Sequence, residues 1–188
     1  MENKLPQRKN IRIKKFDYSS NGAYFITICA YQRKNIFGEI TTTDNNQNVG
    51  QGLCSCRLSP IGIIIDEEIQ NLVKRYCNIE INKYVIMPNH LHMILCINKS
   101  INQCLWQEQS PCPTISDMVC TMKSIATKRV NKTLIPQKIW QPRFYGHIIR
   151  GEADYLKIWK YIDTNQIKWE LDCYYKQDNH KVQSNHLT

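Results

Sequence analysis

Two histidines separated by a single leucine carry the sharpest chemical signal in the chain, within Met87-Pro88-Asn89-His90-Leu91-His92-Met93-Ile94-Leu95. Alternate residues of a β-strand share a face and lie about 6.6 Å apart, so His90 and His92 can offer both imidazoles to one divalent ion while Leu91, Met93 and Leu95 turn to the core. A single histidine on a strand is more often structural than a ligand. The chain holds only five histidines, however, and two of them alternate immediately after Pro88-Asn89, which favours a metal pair.

A second set lies near the C-terminus. Tyr155, Ile158, Trp159 and Ile162 recur as the apolar side of a helix, and Lys157, Tyr161, Asn165 and Lys168 recur on its polar side. Tyr161 and Asn165 are therefore neighbours one turn apart. Pattern alone reads Tyr161 as an amphipathic boundary residue, the commonest role of a tyrosine on a helix.

Lysine and arginine outnumber the acidic residues 25 to 16, a net charge of +9 that points to a polyanionic partner, either nucleic acid or an anionic membrane surface. The N-terminal run from Arg8 to Lys15 contributes Arg12, Lys14 and Lys15 to that charge. No long apolar segment follows it, and no stretch of about 18 apolar residues occurs anywhere, so neither a signal peptide nor a membrane span is expected and the cytoplasm is the expected location. The nine cysteines are odd in number and include no Cys-x-x-Cys pair, which argues against a secreted disulfide scaffold. Cys29 and Cys96 fall in apolar runs and read as small core residues. Cys54, Cys56, Cys104 and Cys112 fall in loop-like stretches whose spacing matches no standard structural zinc site.

The elements that must position the two sets follow from periodicity. Tyr24 to Tyr31 is rich in aromatic and β-branched residues after Asn21-Gly22 and reads as a strand, whereas residues 41–57 have no periodicity and read as an exposed loop. Ser59-Pro60 supplies a helix cap followed by proline at the first helical position, and Ile61, Ile65, Ile69, Leu72, Val73 and Tyr76 then share a face. Ile79 to Met87 and His90 to Ile97 form a hairpin turned at Pro88-Asn89. From Thr114, Ile115, Met118, Val119, Met122, Ile125, Ala126 and Val130 make a second helical stripe, with Lys123, Thr127 and Lys128 on its other side. Phe144 to Ile149 is a short strand, and Glu152 to about Lys168 is the last helix, with Glu152 and Asp154 complementing its dipole. The order β-α-β-β-α-β-α is that of an α+β, ferredoxin-like split βαβ sandwich, an antiparallel sheet with an added C-terminal helix. Residues 1–175 are expected to form a single domain and 176–188 a polar, disordered tail.

Taken together, Tyr84-Val85-Ile86-Met87-Pro88-Asn89-His90-Leu91-His92, Ile139-Trp140-Gln141 ahead of Tyr145, His147-Ile148-Ile149-Arg150, and Tyr161-Ile162-Asp163-Thr164-Asn165 with Lys168-Trp169 closely resemble the single-tyrosine transposases of the His-hydrophobe-His superfamily. The branch most similar is that of the REP-associated transposases. The likeness runs from about Ile11 to about Tyr175 and keeps the motifs in order. It departs at Gln166, where many relatives carry proline, and at Gly146, where an acidic residue often precedes the histidine.

The resemblance implies His90 and His92 as metal ligands, Asn165 as a third ligand through its amide, and Tyr161 as nucleophile. Its activity would be metal-dependent nicking and rejoining of single-stranded DNA, in transposition or in processing palindromic repeats, through a covalent 5′-phosphotyrosine. The implied ion is Mg²⁺ or Mn²⁺, although imidazole-rich sites also accept Zn²⁺. The implied partner is single-stranded or hairpin DNA, and relatives are often dimers, so a homodimer is among the expected assemblies. Arg12, Lys14, Lys15, Lys123, Lys128 and Lys157 would bind the DNA backbone, and the charge of Lys157 would also favour the phenolate of Tyr161. Two other classes remain open to the sequence: a metal-dependent hydrolase or nuclease that has no need of Tyr161, and a non-catalytic hairpin-binding module.

Overall fold

The computed structural model describes residues 20–42, 54–98 and 113–175. Four strands, β1 (Gly22–Cys29), β4 (Ile79–Met87), β5 (His90–Ile97) and β6 (Tyr145–Ile148), make one sheet in the order β4-β5-β1-β6. Every pairing in it is antiparallel. That order and the helices between the strands are those of the expected split βαβ sandwich. The β4–β5 hairpin has the bounds read from the sequence, because Pro88-Asn89 can continue neither strand and the apolar alternation resumes at once on its far side.

Helix α1 (Pro60–Arg75) begins where its cap dictates: the Ser59 hydroxyl accepts the Gly62 amide and donates to the Ile36 carbonyl, tying the helix start to the chain before it. A Cβ at Gly62 would come within 2.0 Å of the Phe37 carbonyl, so only glycine lets the first turn approach that backbone. Helix α2 (Ile115–Thr133) opens with a reciprocal capping box, in which Thr114 and Asp117 each accept the other's backbone amide. The Glu68 carboxylate of α1, 2% exposed, receives Arg75 at 2.6 Å and Arg129 of α2 at 2.8 Å, and so clamps the two helices.

The period-two alternation of the sheet separates two cores. Tyr24, Ile26, Ile28, Leu91, Met93 and Leu95 point to one face and pack with Ile65, Ile69 and Leu72 of α1 and Met118, Met122 and Ala126 of α2. On the other face Val85, Met87 and Ile94 meet Ile158 and Ile162 of helix α3 (Glu152–Thr164), together with Trp169. His90 and His92 lie in this second layer because their parity on β5 is that of Ile94, not of Leu91 and Met93.

Three expectations change. Gly38–Thr42 and Cys54–Leu58, which overlap the two ends of the 41–57 stretch read as a loop, pair as a two-stranded antiparallel ribbon, β2 and β3. Among the described apolar side chains of these five-residue strands, only Ile40, Cys56 and Leu58 turn toward the protein, too few positions to give a periodic signal. Strand β1 begins and ends two residues earlier than expected, since Tyr31–Arg33 forms a short 3-10 turn in which Gln32 and Arg33 adopt φ of 56° and 54°. Helix α3 stops at Thr164 instead of running to Lys168, and the chain passes through a turn into a 3-10 segment, Trp169–Leu171. Among the described residues, no helix is long and apolar enough to cross a membrane.

Candidate active site

Both histidines sit at the centre of the sheet, with His90 0% and His92 1% exposed. His92 is register partner to Thr27 of β1, and its Nδ1 lies 2.8 Å from Thr27 Oγ1. On the other side of the ring, Nε2 is 3.2 Å from the hydroxyl of Tyr161, which α3 carries across the layer. His90 Nδ1 lies 2.9 Å from Asn89 Oδ1, whereas its Nε2 is buried without any hydrogen-bond partner. The two rings meet edge to face with centroids 4.5 Å apart. Strand alternation therefore delivers both imidazoles to one place, as the spacing predicts.

The early end of α3 brings in a group that the sequence did not mark. After Trp169–Leu171 the chain doubles back, and Asp172 reaches the histidines. Its Oδ2 lies 3.3 Å from the Tyr161 hydroxyl and accepts from Asn165 Nδ2 at 3.0 Å, while Oδ1 accepts the Tyr174 amide at 2.7 Å. Ligand atoms of His90, His92 and Asp172 all lie within 4.8 Å of one another. Asp172 stands outside any helical or strand period near the end of the fold, and no local signal distinguishes it from a solvated acid. Asn165, 2% exposed, is beside it, with the amide nitrogen committed to Asp172 and Oδ1 buried without a partner.

These donors fit a divalent ion. Two imidazoles and a carboxylate are the mixed nitrogen and oxygen set that such ions take, and His90 Nε2 and Asn165 Oδ1 are buried lone pairs that the protein itself leaves unsatisfied. Burial, with help from Arg33, holds the His90 imidazole down at about 3, and burial together with His90 holds His92 well below its ordinary value. Both rings are thus neutral, the form that ligates a metal.

Aromatic rings close the surroundings. Phe25 stacks on His92 at 5.2 Å, Tyr174 lies 4.5 Å from His90 and Trp169 lies 5.9 Å from it. Tyr161 remains 40% exposed, so its hydroxyl touches the site while the ring is reachable from solvent. Burial and the Asp172 carboxylate push the Tyr161 phenol above its ordinary value, and burial with nearby thiols pushes Tyr174 up to about 12. The environment of Tyr161 thus opposes the phenolate in the protein alone.

The basic residues singled out in the sequence fall into different places. Lys157 is exposed on α3, one turn before Tyr161. Lys128 is exposed on α2, on the far side of the sheet from Tyr161. Lys123 is half-buried: its ammonium donates to the Gln141 carbonyl at 2.6 Å and lies 5.9 Å from the Trp140 ring. Trp140 is 7% exposed and packs on Phe37, so it belongs to the core, whereas Tyr145 is 43% exposed. His147 stands apart from the histidine pair and bonds Asp154 at 2.8 Å. Arg12, Lys14 and Lys15, as well as Cys104 and Cys112, lie outside the described residues. Cys29 and Cys96 are free, partly buried thiols.

No family model matches the chain. An uncharacterized protein of Haemophilus influenzae is 34% identical over 181 residues, which span 91% of this chain and 94% of that protein. A protein of Escherichia coli named REP-associated tyrosine transposase is 31% identical over 96 residues, covering 51% of this chain and 49% of that protein. Among solved structures, a REP-associated tyrosine transposase bound to a REP hairpin has the same fold, with a TM-score of 0.53 and 21% identity over 92% of this chain and 78% of that one.

Proposed function

We propose that this chain is a tyrosine transposase of the REP-associated kind, which nicks and rejoins single-stranded DNA beside a hairpin with Tyr161 as the nucleophile; the partial identity to a REP-associated tyrosine transposase and the shared fold support this reading. The observation that carries the reading is the meeting of a solvent-reachable phenol with two buried, neutral imidazoles and a carboxylate. His90, His92 and Asp172 would hold a divalent ion, Mg²⁺ or Mn²⁺, with Asn165 Oδ1 beside them. When bound, such an ion supplies positive charge that draws on a non-bridging phosphate oxygen and offsets the Asp172 carboxylate beside the phenol.

The residues of the chain account for the rest. Packing of Ile158 and Ile162 on the sheet fixes α3 so that the Tyr161 oxygen projects over the histidines, an arrangement that turns attack on a bound strand into an effectively unimolecular step. Attack forms a bond from the Tyr161 oxygen to phosphorus and breaks the bond from phosphorus to the 3′ oxygen. The phenolic proton leaves by way of Asp172 Oδ2, its acceptor at 3.3 Å, to water, and the departing 3′ oxygen takes up a proton from water as it leaves as a hydroxyl, so that no net proton is gained or lost. One ester replaces another, so the same residues run the reaction backwards to rejoin a strand. Lys157 and the exposed cations around it would hold the neighbouring phosphates, and the reaction belongs in the cytoplasm with the DNA.

A denaturing gel of protein incubated with labelled hairpin DNA and Mn²⁺ tests this directly. A covalent protein–DNA adduct is expected with the native chain and is lost in Tyr161→Phe. Cleavage that proceeds without any adduct would transfer the chemistry to an activated water and end the proposal.

A further inference from the structure

Asn89 sits at the turn between β4 and β5, is 0% exposed, and is surrounded by three hydrogen-bonding groups. Its side-chain nitrogen faces two backbone carbonyls, that of Arg33 at 3.3 Å and that of Tyr174 at 2.9 Å. A carbonyl oxygen can only accept, so the NH₂ end of the amide must point to these two and its oxygen must point to His90. That oxygen can only accept as well. The proton on the neutral His90 ring is therefore on Nδ1, 2.9 Å away, and the lone pair is on Nε2, the buried atom that has no partner in the protein.

His92 has no such constraint, because the Thr27 hydroxyl beside its Nδ1 can donate or accept.

We infer that Asn89 is a positioning residue for the metal site: two backbone carbonyls orient its amide, and the amide in turn sets the tautomer that exposes His90 Nε2 to a divalent cation. The inference rests on the metal-site part of the proposed function and not on the tyrosine chemistry. Neutral imidazole in water prefers its proton on Nε2, so the protein must impose the opposite choice to keep that atom free for a ligand. The bond to Tyr174 also links the ring to the segment that follows Asp172. The same amide thus joins the turn at Arg33, the ligand histidine and the segment bearing the third donor.

Long-range proton–nitrogen NMR of the imidazoles in the full chain, with Mn²⁺ titration followed by electron paramagnetic resonance, tests the assignment. The native protein is expected to show His90 protonated on Nδ1. Asn89→Ala should shift His90 to the Nε2 tautomer and weaken Mn²⁺ binding by about 10- to 100-fold. Asn89→Asp keeps an acceptor for Nδ1 but turns an oxygen toward the Arg33 and Tyr174 carbonyls, so it should keep His90 protonated on Nδ1 while lowering Mn²⁺ affinity through the lost orientation, a readout independent of whether Asn89→Ala folds. An Nε2 proton on His90 in the native chain overturns the inference outright. So does an Asn89→Ala protein that binds Mn²⁺ within about twofold of the native value, or an Asn89→Asp protein whose His90 carries its proton on Nε2. A chain with the expected tautomer and affinity that still forms no DNA adduct would leave this inference standing and remove only the nicking chemistry.

Discussion

The hydroxyl of Tyr161 lies 3.2 Å from Nε2 of His92, a contact between residues 69 apart in sequence and on different layers of the fold. Its partner Nδ1 is held by Thr27, so the imidazole is fixed from one side and faces the phenol on the other. The closeness of these two groups, and of Asp172 to both, leads to expectations that separate ligands, clamps and surface charges.

Asp172 should matter more for metal than Asn165. Asp172→Ala removes a charged donor within 4.8 Å of both imidazoles, whereas Asn165→Ala removes a neutral one that also orients Asp172. Isothermal titration with Mn²⁺ should show a loss of about 100-fold for Asp172→Ala and about 10-fold for Asn165→Ala. The reverse order would return the third position to the amide that the family pattern suggests.

Acid should destabilise the fold through the histidines. An unfolded histidine titrates near 6.5, while folded His90 titrates near 3 and His92 well below its ordinary value. Below about 6.5 the unfolded chain therefore binds protons that the folded chain refuses, and stability falls as pH drops toward 3, by up to about 1.4 kcal/mol per pH unit for each ring. Urea melts between pH 7 and pH 4 measure the slope, and His90→Gln with His92→Gln should flatten it.

Glu68 should be a stability residue with no part in chemistry. Burial alone would raise its carboxyl, but the hydrogen bonds and charges of Arg129 and Arg75 outweigh burial and hold it below the usual range. Glu68→Ala strips both arginines of their shared partner across α1 and α2. Denaturant unfolding should report a loss of about 1–3 kcal/mol, moderated because both arginines can reach water. Adduct formation well below the melting temperature should be unchanged.

Lysines on the two helical layers should behave differently. Lys123 is engaged with the Gln141 carbonyl and lies by the Trp140 ring, so Lys123→Met should lower the melting temperature and leave the salt dependence of DNA binding nearly intact. Lys157→Ala, on the exposed side of α3, should instead reduce the slope of log affinity against log salt by about one. Fluorescence anisotropy with a labelled hairpin over a salt series distinguishes the two.

Local rules were enough for several features. Ser59-Pro60 and Thr114 set helix starts by capping chemistry, Pro88-Asn89 set the hairpin, and strict alternation put His90 and His92 on one face, because each of these depends only on neighbours along the chain. The placement of Tyr161 on the polar side of its helix was legible for the same reason, although its role came only with the family pattern. Distance in the sequence hid the rest. Asp172 joins the histidines only because α3 stops at Thr164 and the chain folds back, and Lys123 turns from a phosphate candidate into a support for Trp140 only because Gln141 packs next to it. The ribbon of β2 and β3 escaped because each short strand turns so few apolar residues, Ile40 and Leu58 among them, toward the core. Periodicity records which side of an element is apolar, but which polar groups then face one another is decided by how the layers stack, and that exists only in three dimensions.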